Sequence, residues 1–387
     1  MKKIALVELQ EHQEVLYGLI DLLLLQPVEV YVFAPAYMQE QLKPEWVENE
    51  RLHWISKLPE ETIPQFIQQV KTQLDAVDLI VFTTLVKHFA FFAQQTFTPP
   101  TVLLIHKGNA FFAPQSNLDI RNFKDALRFL RSLWRREDFF REKLLKKTSY
   151  LSFTDPVIEA YMRPLIPPFC QLLPALPFTN YTPALPQSNA PIQIVVPGTV
   201  SALTRDFDLL FSALQKADAQ LATTVELIFL GKASGPRARL FFDFVQNSRF
   251  QNINIQTFGS MLPEQDYQKK LQTADFLLLP LREQIQFGII RERYGKTSIS
   301  GGVNDMLRFG KPALVPDFYP LDPALQSLSQ SFHDAESLAD LLTKWVNERS
   351  YLPLAEQAPI LLASFSKTKR SHALMEILKP ALNFIEK

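Results

Sequence analysis

One short segment combines a cation, hydroxyl groups and glycines in an order suited to binding an anion. It reads KTSISGGVNDML and contains Lys296, Ser298, Ser300, Gly301 and Gly302. Glycines let a ligand approach the main chain closely, and a helix that begins beyond them points its free N–H groups at that ligand. The segment therefore predicts a phosphate-binding turn with a serine near the helix cap. The alternative is a tight turn with an ordinary cap, but a Ser-Gly-Gly turn is scarce in a chain with 11 glycines.

A second group of polar residues follows two apolar runs near the N-terminus. His106 ends the run in TVLLIHKGN, which predicts a strand, and Asn109 lies in the loop behind it. The carboxyl ends of strands in open α/β sheets bind ligands, so we predict His106 as a general base or a polar substrate contact. A histidine with a purely structural role is the alternative. Glu11 and His12 follow the first apolar run, where no glycine occurs before Gly18, and we assign them to the same substrate side.

The segment 120–147 has a conspicuous excess of positive charge. It holds ten Lys or Arg against four Asp or Glu, and its apolar side chains recur at helical spacing. Those side chains are Phe123, Leu127, Leu130, Leu133 and Trp134. We expect this stripe to pack on the N-terminal lobe while the charges stay in water. The alternative is peripheral contact with an anionic membrane through the stripe.

Several other classes of function lack the residues that they need. Lys plus Arg and Asp plus Glu are both 40, so no overall field favours nucleic acid as a partner. The single Cys170 allows no internal disulfide, and the six histidines show no spacing that predicts a zinc or other metal site. The sequence also lacks the G-x-S-x-G, P-loop and G-x-G-x-x-G motifs of hydrolases, NTPases and dinucleotide oxidoreductases.

These residues need a scaffold, and the apolar pattern predicts two α/β lobes. Short β-branched runs alternate with longer amphipathic ones, as in parallel sheets whose strands are joined by helices. The pattern runs through KIALVEL, VEVYVFA, DLIVFTT, TVLLIH and YLSFTD, and it restarts in IQIVVPG, VELIFLG, INIQTFG, DFLLLPL and PALVPD. The segment between them, TNYTPALPQSNAP, is polar and rich in proline, which favours a connector.

We therefore predict an N-terminal Rossmann-like lobe over residues 1–180 and a C-terminal one over 190–387, doubly wound and facing a cleft. The chain from His333 onward predicts helices, the last of which could pack back on the N-terminal lobe. The start, MKKIALVELQ, predicts a first strand and not a signal peptide, because Glu8 interrupts a short apolar run. We expect a cytoplasmic protein, with the inner face of the membrane as a peripheral location.

The C-terminal lobe resembles the retaining GT-B glycosyltransferases of the large family that includes sucrose synthases and bacterial polysaccharide enzymes (glycosyltransferase family 4-like). Matching blocks occur in the family's order: IVVPGTVSALTRDFDLLFSAL, VELIFLGKASG, INIQTFGSMLPEQDYQKKLQTADFLLLPL and NDMLRFGKPALVP. The resemblance implies the GT-B architecture and a metal-independent hexosyltransferase. It implies no cofactor, a nucleotide-sugar donor and a saccharide or lipid-linked saccharide acceptor, which would lie on the side of His106.

The family's hallmark is a glutamate, seven residues, and a second glutamate before Gly-Lys-Pro. Alignment on that turn places Asp305 at the second glutamate, so the resemblance implies a contact to the nucleotide ribose. It places Thr297 at the first glutamate, where the carboxylate beside the donor sugar is therefore missing. Glu292 is an alternative source of that carboxylate.

The resemblance also implies a basic residue for the donor phosphates in GTVSALTRDFD, a role that Arg205 fits. Pairing with Asp206 on the surface is the alternative. The family's other basic residue, directly after the glycine, is Thr199 here, and Lys232 is a further donor candidate. A GT-B protein that binds nucleotide or glycan without turnover remains an alternative, as do an epimerase and a phosphorylase.

Overall fold

The computed structural model describes residues 1–10, 12–42, 44–183, 191–233 and 238–383. The chain forms two compact units. The first comprises Met1–Asn180, Phe287–Glu292 and Lys367–Lys387, and the second comprises Tyr181–Gln286 and Arg293–Ser366. The predicted domain boundary falls partly on residues 184–190, which lie outside the described residues, and it stays a prediction.

The first unit is built on a six-stranded parallel sheet. Its strands are β1 (Lys2–Glu8), β2 (Val28–Pro35), β3 (Leu52–Lys57), β4 (Leu79–Thr84), β5 (Thr101–Ile105) and β6 (Tyr150–Phe153). Their order in the sheet is β3-β2-β1-β4-β5-β6, and all neighbours pair in parallel. Strands β4, β5 and β6 are buried at every position, which is expected of a parallel sheet covered by helices on both faces.

The helices that join these strands include several short ones. They are α1 (Gln13–Leu23), α2 (Ala36–Gln39), α3 (Pro44–Val47), α4 (Ile63–Gln69), α5 (Lys71–Asp75), α6 (Phe89–Phe92), α7 (Gly108–Phe112), α8 (Phe123–Trp134), α9 (Glu137–Lys147) and α10 (Pro156–Met162). Local sequence fixes several of their starts. Thr62 and Gln65 form a capping box at α4, and the Asp155 carboxylate accepts from the first free N–H groups of α10.

The second unit repeats the same topology. The chain from residue 192 onward contributes the strands β7 (Ile192–Val196), β8 (Val225–Phe229), β9 (Ile253–Gln256), β10 (Phe276–Leu278), β11 (Gln284–Phe287), β12 (Ile290–Arg293), β13 (Ala313–Pro316) and β14 (Ser329–Phe332). Residues 287–292, which include most of β12, are assigned to the first unit. Six of these strands form a parallel sheet in the order β14-β13-β10-β7-β8-β9, while β11 and β12 pair separately. The strand order reverses between β7 and β10, as it does between β1 and β4 in the first unit. The doubly wound prediction is therefore confirmed.

The helices of the second unit are followed by one that belongs to the first. The second unit contains α11 (Phe207–Asp218), α12 (Ala238–Asn247), α13 (Glu264–Thr273), α14 (Gly301–Phe309), α15 (Pro323–Gln326), α16 (Ala335–Glu348) and α17 (Leu352–Leu361). The last helix, α18 (Lys367–Leu382), packs on α1, where Ser371 Oγ donates to the Leu22 carbonyl at 2.6 Å. Leu374 and Leu378 join the core of the first unit.

Helix α8 contradicts the expected packing of its apolar stripe. Phe123 is 77% exposed and Trp134 83% exposed, and Leu127, Leu130 and Leu133 are each about half exposed or more. The helix turns the carboxylate of Asp125 toward the protein instead. The expectation that the stripe packs on this unit is therefore wrong.

No helix in the described ranges has the length and apolar character needed to cross a membrane.

The Gly-Lys-Pro turn after α14 contains a buried lysine. Gly310 ends the helix with a φ of +58°, a conformation that glycine adopts without strain. Lys311, 4% exposed, donates from Nζ to the carbonyls of Gln272 at 2.6 Å and Ala274 at 2.8 Å. Burial lowers the pKa of Lys311 to about 8, and the charge of Asp275 opposes that shift.

This depressed pKa gives a testable dependence of stability on pH. Below pH 8 the cost of burying the charged Lys311 is fully present, and it is relieved as pH rises toward the unfolded pKa of 10.5. Relative to Lys311→Met, the free energy of unfolding of the parent should rise by about 2 kcal/mol between roughly pH 7 and pH 9.5. Urea unfolding of both proteins at the two pH values measures this gain. A constant difference would show that Lys311 keeps an ordinary pKa.

Candidate functional site

The turn after β7 lies where the strand order of the second sheet reverses. Gly198 has a φ of +76°, and a Cβ there would lie 3.0 Å from Nη2 of Arg205. Gly231, after β8, is packed more tightly still, since a Cβ on it would lie 2.1 Å from the Gly198 carbonyl oxygen. Both positions therefore require glycine, and the turn is fixed tightly at the carboxyl edge, where doubly wound sheets bind ligands.

Arg205 lies directly beneath this turn. It is 5% exposed, and Nη2 donates to the Pro197 carbonyl at 2.6 Å. Its Nε and Nη1 have no hydrogen-bond partner among the described residues. Burial lowers the pKa of Arg205, while Tyr294, Tyr267 and Asp305 act in the opposite direction. A guanidinium still carries its charge at neutral pH, so the site contains a buried cation with two unsatisfied nitrogen donors.

The surface pairing of Arg205 with Asp206 does not occur. The Asp206 carboxylate accepts from the N–H of Leu209 at the start of α11 and lies 3.7 Å from the guanidinium of Arg282. Arg282 in turn donates from Nε to the main-chain carbonyl of Arg205 at 2.9 Å. Asp206 and Arg282 therefore hold the main chain at Arg205, and the Arg205 side chain points elsewhere.

A tyrosine links the glycine turn to Asp305. The N–H of Gly198 donates to Tyr267 Oη at 3.0 Å, and that hydroxyl donates to Asp305 Oδ2 at 3.0 Å. Burial raises the pKa of Tyr267 well above its usual value, and the charge of Asp305 adds to the shift, so the hydroxyl stays protonated as a donor. The sequence of α13 indicates only that this residue lies on the buried side of the helix. Tyr267 lies four positions before Leu271, the buried residue of a mostly polar helix.

The predicted phosphate-binding turn leads into α14. Ser298 and Ser300 are both buried, and the N–H of Ser300 donates to Tyr319 Oη at 3.1 Å. The two glycines differ in what they permit. A Cβ on Gly302 would lie 2.7 Å from Leu279, whereas a Cβ on Gly301 would meet nothing within 4 Å. Packing in the described chain thus requires glycine at 302, while the main chain at Gly301 is open to an approaching group.

Among the described residues, the other predicted donor residues make no hydrogen bond to this cluster. Thr199 and Lys232 are exposed on the turns after β7 and β8. Lys296 lies 3.8 Å from the carboxylate of Glu283, which also pairs with Arg293. The structure therefore brings Arg205, Gly198, Tyr267 and Asp305 together through hydrogen bonds and close packing, and Lys296 belongs to a separate ion-pair group.

The two positions considered for the first carboxylate both have local structural contacts. Thr297 Oγ1 accepts from the N–H of Arg293 at 2.8 Å and shapes the turn between β12 and α14. Glu292 is fully buried in the first unit, where its carboxylate accepts from the N–H groups of Asn109 at 3.2 Å and Ala110 at 2.8 Å. Glu292 therefore caps the start of α7, and its role beside a donor stays a prediction.

In the first unit, His106 forms a stacked pair with His12. The two ring centroids lie 3.9 Å apart with an interplanar angle of 4°. His106 is buried, and its Nε2 lies 2.6 Å from the Thr83 carbonyl, so Nε2 carries the proton. Burial, together with the nearby His12, lowers the pKa of His106 well below its usual value. The ring is therefore a neutral imidazole at the carboxyl edge of the first sheet.

Other polar groups collect at the same edge. The Thr83 hydroxyl donates to Glu8 Oε2 at 2.8 Å, and Glu8 Oε1 accepts from the Gln10 N–H at 2.7 Å. The hydroxyls of Thr84 and Thr154 are buried and have no partner among the described residues. The sequence contains no motif that distinguishes these threonines from others that end strands.

The remaining candidates for the acceptor side are Asn109 and Glu11. Asn109 is buried and donates from Nδ2 to the Arg291 carbonyl at 2.8 Å, within the first unit. Its amide thus supports the segment 287–292. Glu11 lies outside the described residues. His106 and His12 form one site in the first unit, whereas Asp305, the other predicted catalytic residue, belongs to the second.

No protein-family model and no curated protein matches this sequence. Solved structures do match it over nearly its whole length. HepE of Anabaena, in complex with UDP and glucose, has a TM-score of 0.62 at 12% identity, over 98% of this chain and 100% of that chain. The pneumococcal O-GlcNAc transferase GtfA, in complex with UDP and GlcNAc, has a TM-score of 0.60 at 9% identity, over 99% of each chain.

AviGT4, a glycosyltransferase involved in avilamycin A biosynthesis, has a TM-score of 0.57 at 12% identity, over 100% of this chain and 99% of that chain. At such identities the likeness concerns the fold. With two Rossmann-like units of the same strand order, the chain has the GT-B fold of these glycosyltransferases, as the sequence predicted.

Proposed function

We propose that this chain is a glycosyltransferase that moves a hexose from a nucleoside-diphosphate sugar to a saccharide or lipid-linked saccharide. The observation that carries the proposal is the buried guanidinium of Arg205, whose Nε and Nη1 have no partner among the described residues. Burying a cation without an ion pair costs several kcal/mol, a cost that an anionic ligand offsets. HepE and GtfA, which share the fold, are both described in complex with UDP and a sugar.

The chemistry of sugar transfer suits this group. When the bond between the anomeric carbon and the phosphate oxygen breaks, negative charge develops on the leaving nucleoside diphosphate. Arg205 offers two charge-assisted hydrogen bonds to that diphosphate, and the main chain at Gly301 adds the free N–H groups that begin α14. Stabilisation of the leaving group by fixed donors needs no metal ion in this scheme.

Asp305 and Tyr267 are proposed to bind the nucleoside portion. The Asp305 carboxylate accepts the Tyr267 hydroxyl with Oδ2, and a carboxylate has further lone pairs that can accept a ribose hydroxyl. The Tyr267 hydroxyl also accepts from the N–H of Gly198, which lies in the turn beside Arg205. One side chain therefore connects the proposed ribose contact at Asp305 with the proposed phosphate contact at Arg205. A change at Asp305 is therefore transmitted to the glycine turn.

His106 is proposed to act on the acceptor. Its Nε2 proton is donated to Thr83, so Nδ1 carries the lone pair that could contact or deprotonate an acceptor hydroxyl. The low pKa of His106 keeps that nitrogen unprotonated at neutral pH. His12 fixes the plane of the ring by stacking. Retention of the anomeric configuration is proposed from the sequence resemblance, and the anomeric signals of the product by NMR would test it.

A second candidate function is nucleotide or glycan binding without turnover. It is favoured by the positions of Thr297 and Glu292, since the first has no carboxylate and the second uses its carboxylate to cap α7. Incubation of the parent with a panel of UDP, GDP and ADP sugars and candidate acceptors separates the two functions. The enzyme should release free nucleotide with at least one pair. A donor that binds but is never turned over would favour the binding protein.

We predict that Arg205→Met lowers affinity for UDP by about ten- to a hundredfold and leaves affinity for uridine unchanged, because only the diphosphate contacts the guanidinium. The melting temperature without ligand should stay equal or rise, since an unpaired buried charge is removed. Calorimetry and thermal melting measure both quantities. Arg308→Ala, an arginine in α14 that lies 3.6 Å from Glu264, is the matched control. Equal losses for UDP and uridine would contradict the phosphate role.

A double-mutant cycle tests the role of Asp305. If its carboxylate binds ribose directly, Asp305→Asn should weaken UDP and uridine binding by a similar factor, whether residue 267 is Tyr or Phe. Asp305→Glu should retain much of the affinity. If Asp305 acts only by holding Tyr267, the effects of Asp305→Asn and Tyr267→Phe will not add. Calorimetry on the parent, the two single variants and the double variant distinguishes these outcomes.

A further inference from the structure

Helix α8 carries a continuous apolar stripe on its solvent side. At 100° per residue, Phe123, Leu127, Leu130 and Trp134 fall within one narrow sector, and they are between 47% and 83% exposed. Leu133, 51% exposed, widens the sector on one side. Single exposed apolar residues are ordinary, but a whole helical stripe marks an interaction surface.

The side of α8 opposite the stripe carries local polar contacts that stabilise the start of the helix. The Asp125 carboxylate, 3% exposed, accepts from the Arg121 N–H, Asn122 Nδ2 and Arg128 Nη1. Asn122 also caps the helix by accepting from the Asp125 N–H at 3.0 Å. Helix α9, which packs against α8, is anchored in the unit by Leu144 and Leu145. The stripe is therefore presented by a well-formed helix.

Uncompensated cations lie beside the stripe. Lys124, Arg131 and Arg135 are exposed, and in the described part of the chain no carboxylate lies within ion-pair distance of them. Lys124 and Arg131 occupy the same flank of α8, about 80° to 100° from Phe123. The chain as a whole has a formal net charge of zero, so this local positive charge contrasts with the rest of the protein.

We propose that α8 docks on the surface of an anionic lipid bilayer. The stripe enters the boundary between headgroups and acyl chains, and Lys124, Arg131 and Arg135 contact lipid phosphates. Trp134, at the end of the helix, suits the interface because its ring is apolar and its N–H needs a polar partner. A second copy of this chain is disfavoured as the occupant, since pairing two such helices would bring their uncompensated cations together.

Vesicle sedimentation tests this proposal with the full chain. Vesicles of phosphatidylcholine with phosphatidylglycerol should bind the protein, and pure phosphatidylcholine vesicles should bind it at least about tenfold more weakly. Raising the salt concentration from about 0.1 M to about 0.5 M should also lower the bound fraction, because the lipid charge is screened. Equal binding to both vesicle types, or none to either, would overturn the proposal.

Two variants separate the apolar and the charge contributions. Leu130→Glu should weaken binding to the anionic vesicles by about tenfold or more, and so should the double change Lys124→Glu with Arg131→Glu. The matched controls are Ile360→Glu, at a residue 79% exposed on α17, and Lys269→Glu, on the exposed side of α13. Both controls should bind vesicles like the parent. Loss of binding in a control would overturn the assignment to α8.

Further measurements test whether the α8 variants keep their fold and their nucleotide affinity. Circular dichroism and UDP affinity of the α8 variants should match those of the parent, because α8 and Arg205 belong to different units. A parent that binds vesicles but not UDP would refute the proposed function and support the membrane surface. The parent could instead bind no vesicles and form a dimer that Leu130→Glu dissociates, as measured by sedimentation velocity. That outcome would show that α8 contacts a second copy of the chain and not a lipid surface.

Discussion

The buried charge of Arg205 is the constraint on which the second unit depends. Within the described chain its guanidinium has one acceptor, the Pro197 carbonyl, although a guanidinium offers five N–H donors. Its neighbours are arranged around that charge. Gly198 has no Cβ that would press on Nη2, and Tyr267 holds the turn while it binds Asp305. A protein shaped only for stability would pair this cation or replace it by an apolar side chain.

The two sheets have the same topology but use their carboxyl edges differently. In the first unit His106 and Glu8 have partners within the protein, and the His106 ring is neutral and stacked. In the second unit the edge carries a permanent cation with open donors. One fold thus provides a neutral imidazole among polar side chains in one unit and a buried cation in the other. The difference lies in a few side chains and not in the arrangement of strands.

The sequence predicted the fold well where burial is complete and less well at the edges. The central strands are continuous apolar runs, so their pattern is unambiguous. Strands β3 and β14 were not predicted, because both lie at sheet edges, where β3 has no fully buried position and β14 has one. The stripe of α8 was predicted as a helix, but a periodic pattern does not say which side of a helix faces the protein.

The candidate site shows the same division. Arg205 followed from its place after a strand and from the family resemblance, whereas its lack of an ion pair could be seen only in three dimensions. Tyr267 was missed because a hydroxyl that links a main-chain N–H to a carboxylate has no local sequence motif. The role of Glu292 as a cap depends on a contact with residues more than 180 positions earlier in the chain, which no local pattern reveals.

The position of α18 in the first unit determines when that unit can be completed during synthesis. Leu374, Leu378, Ala381 and Leu382 belong to a core whose other buried members come from the first 180 residues. The second unit is therefore synthesised before the helix that completes the first unit. Until then the apolar face of α1 that α18 covers, near Leu22, stays open to water. The nascent first unit therefore remains incomplete until α18 has been synthesised.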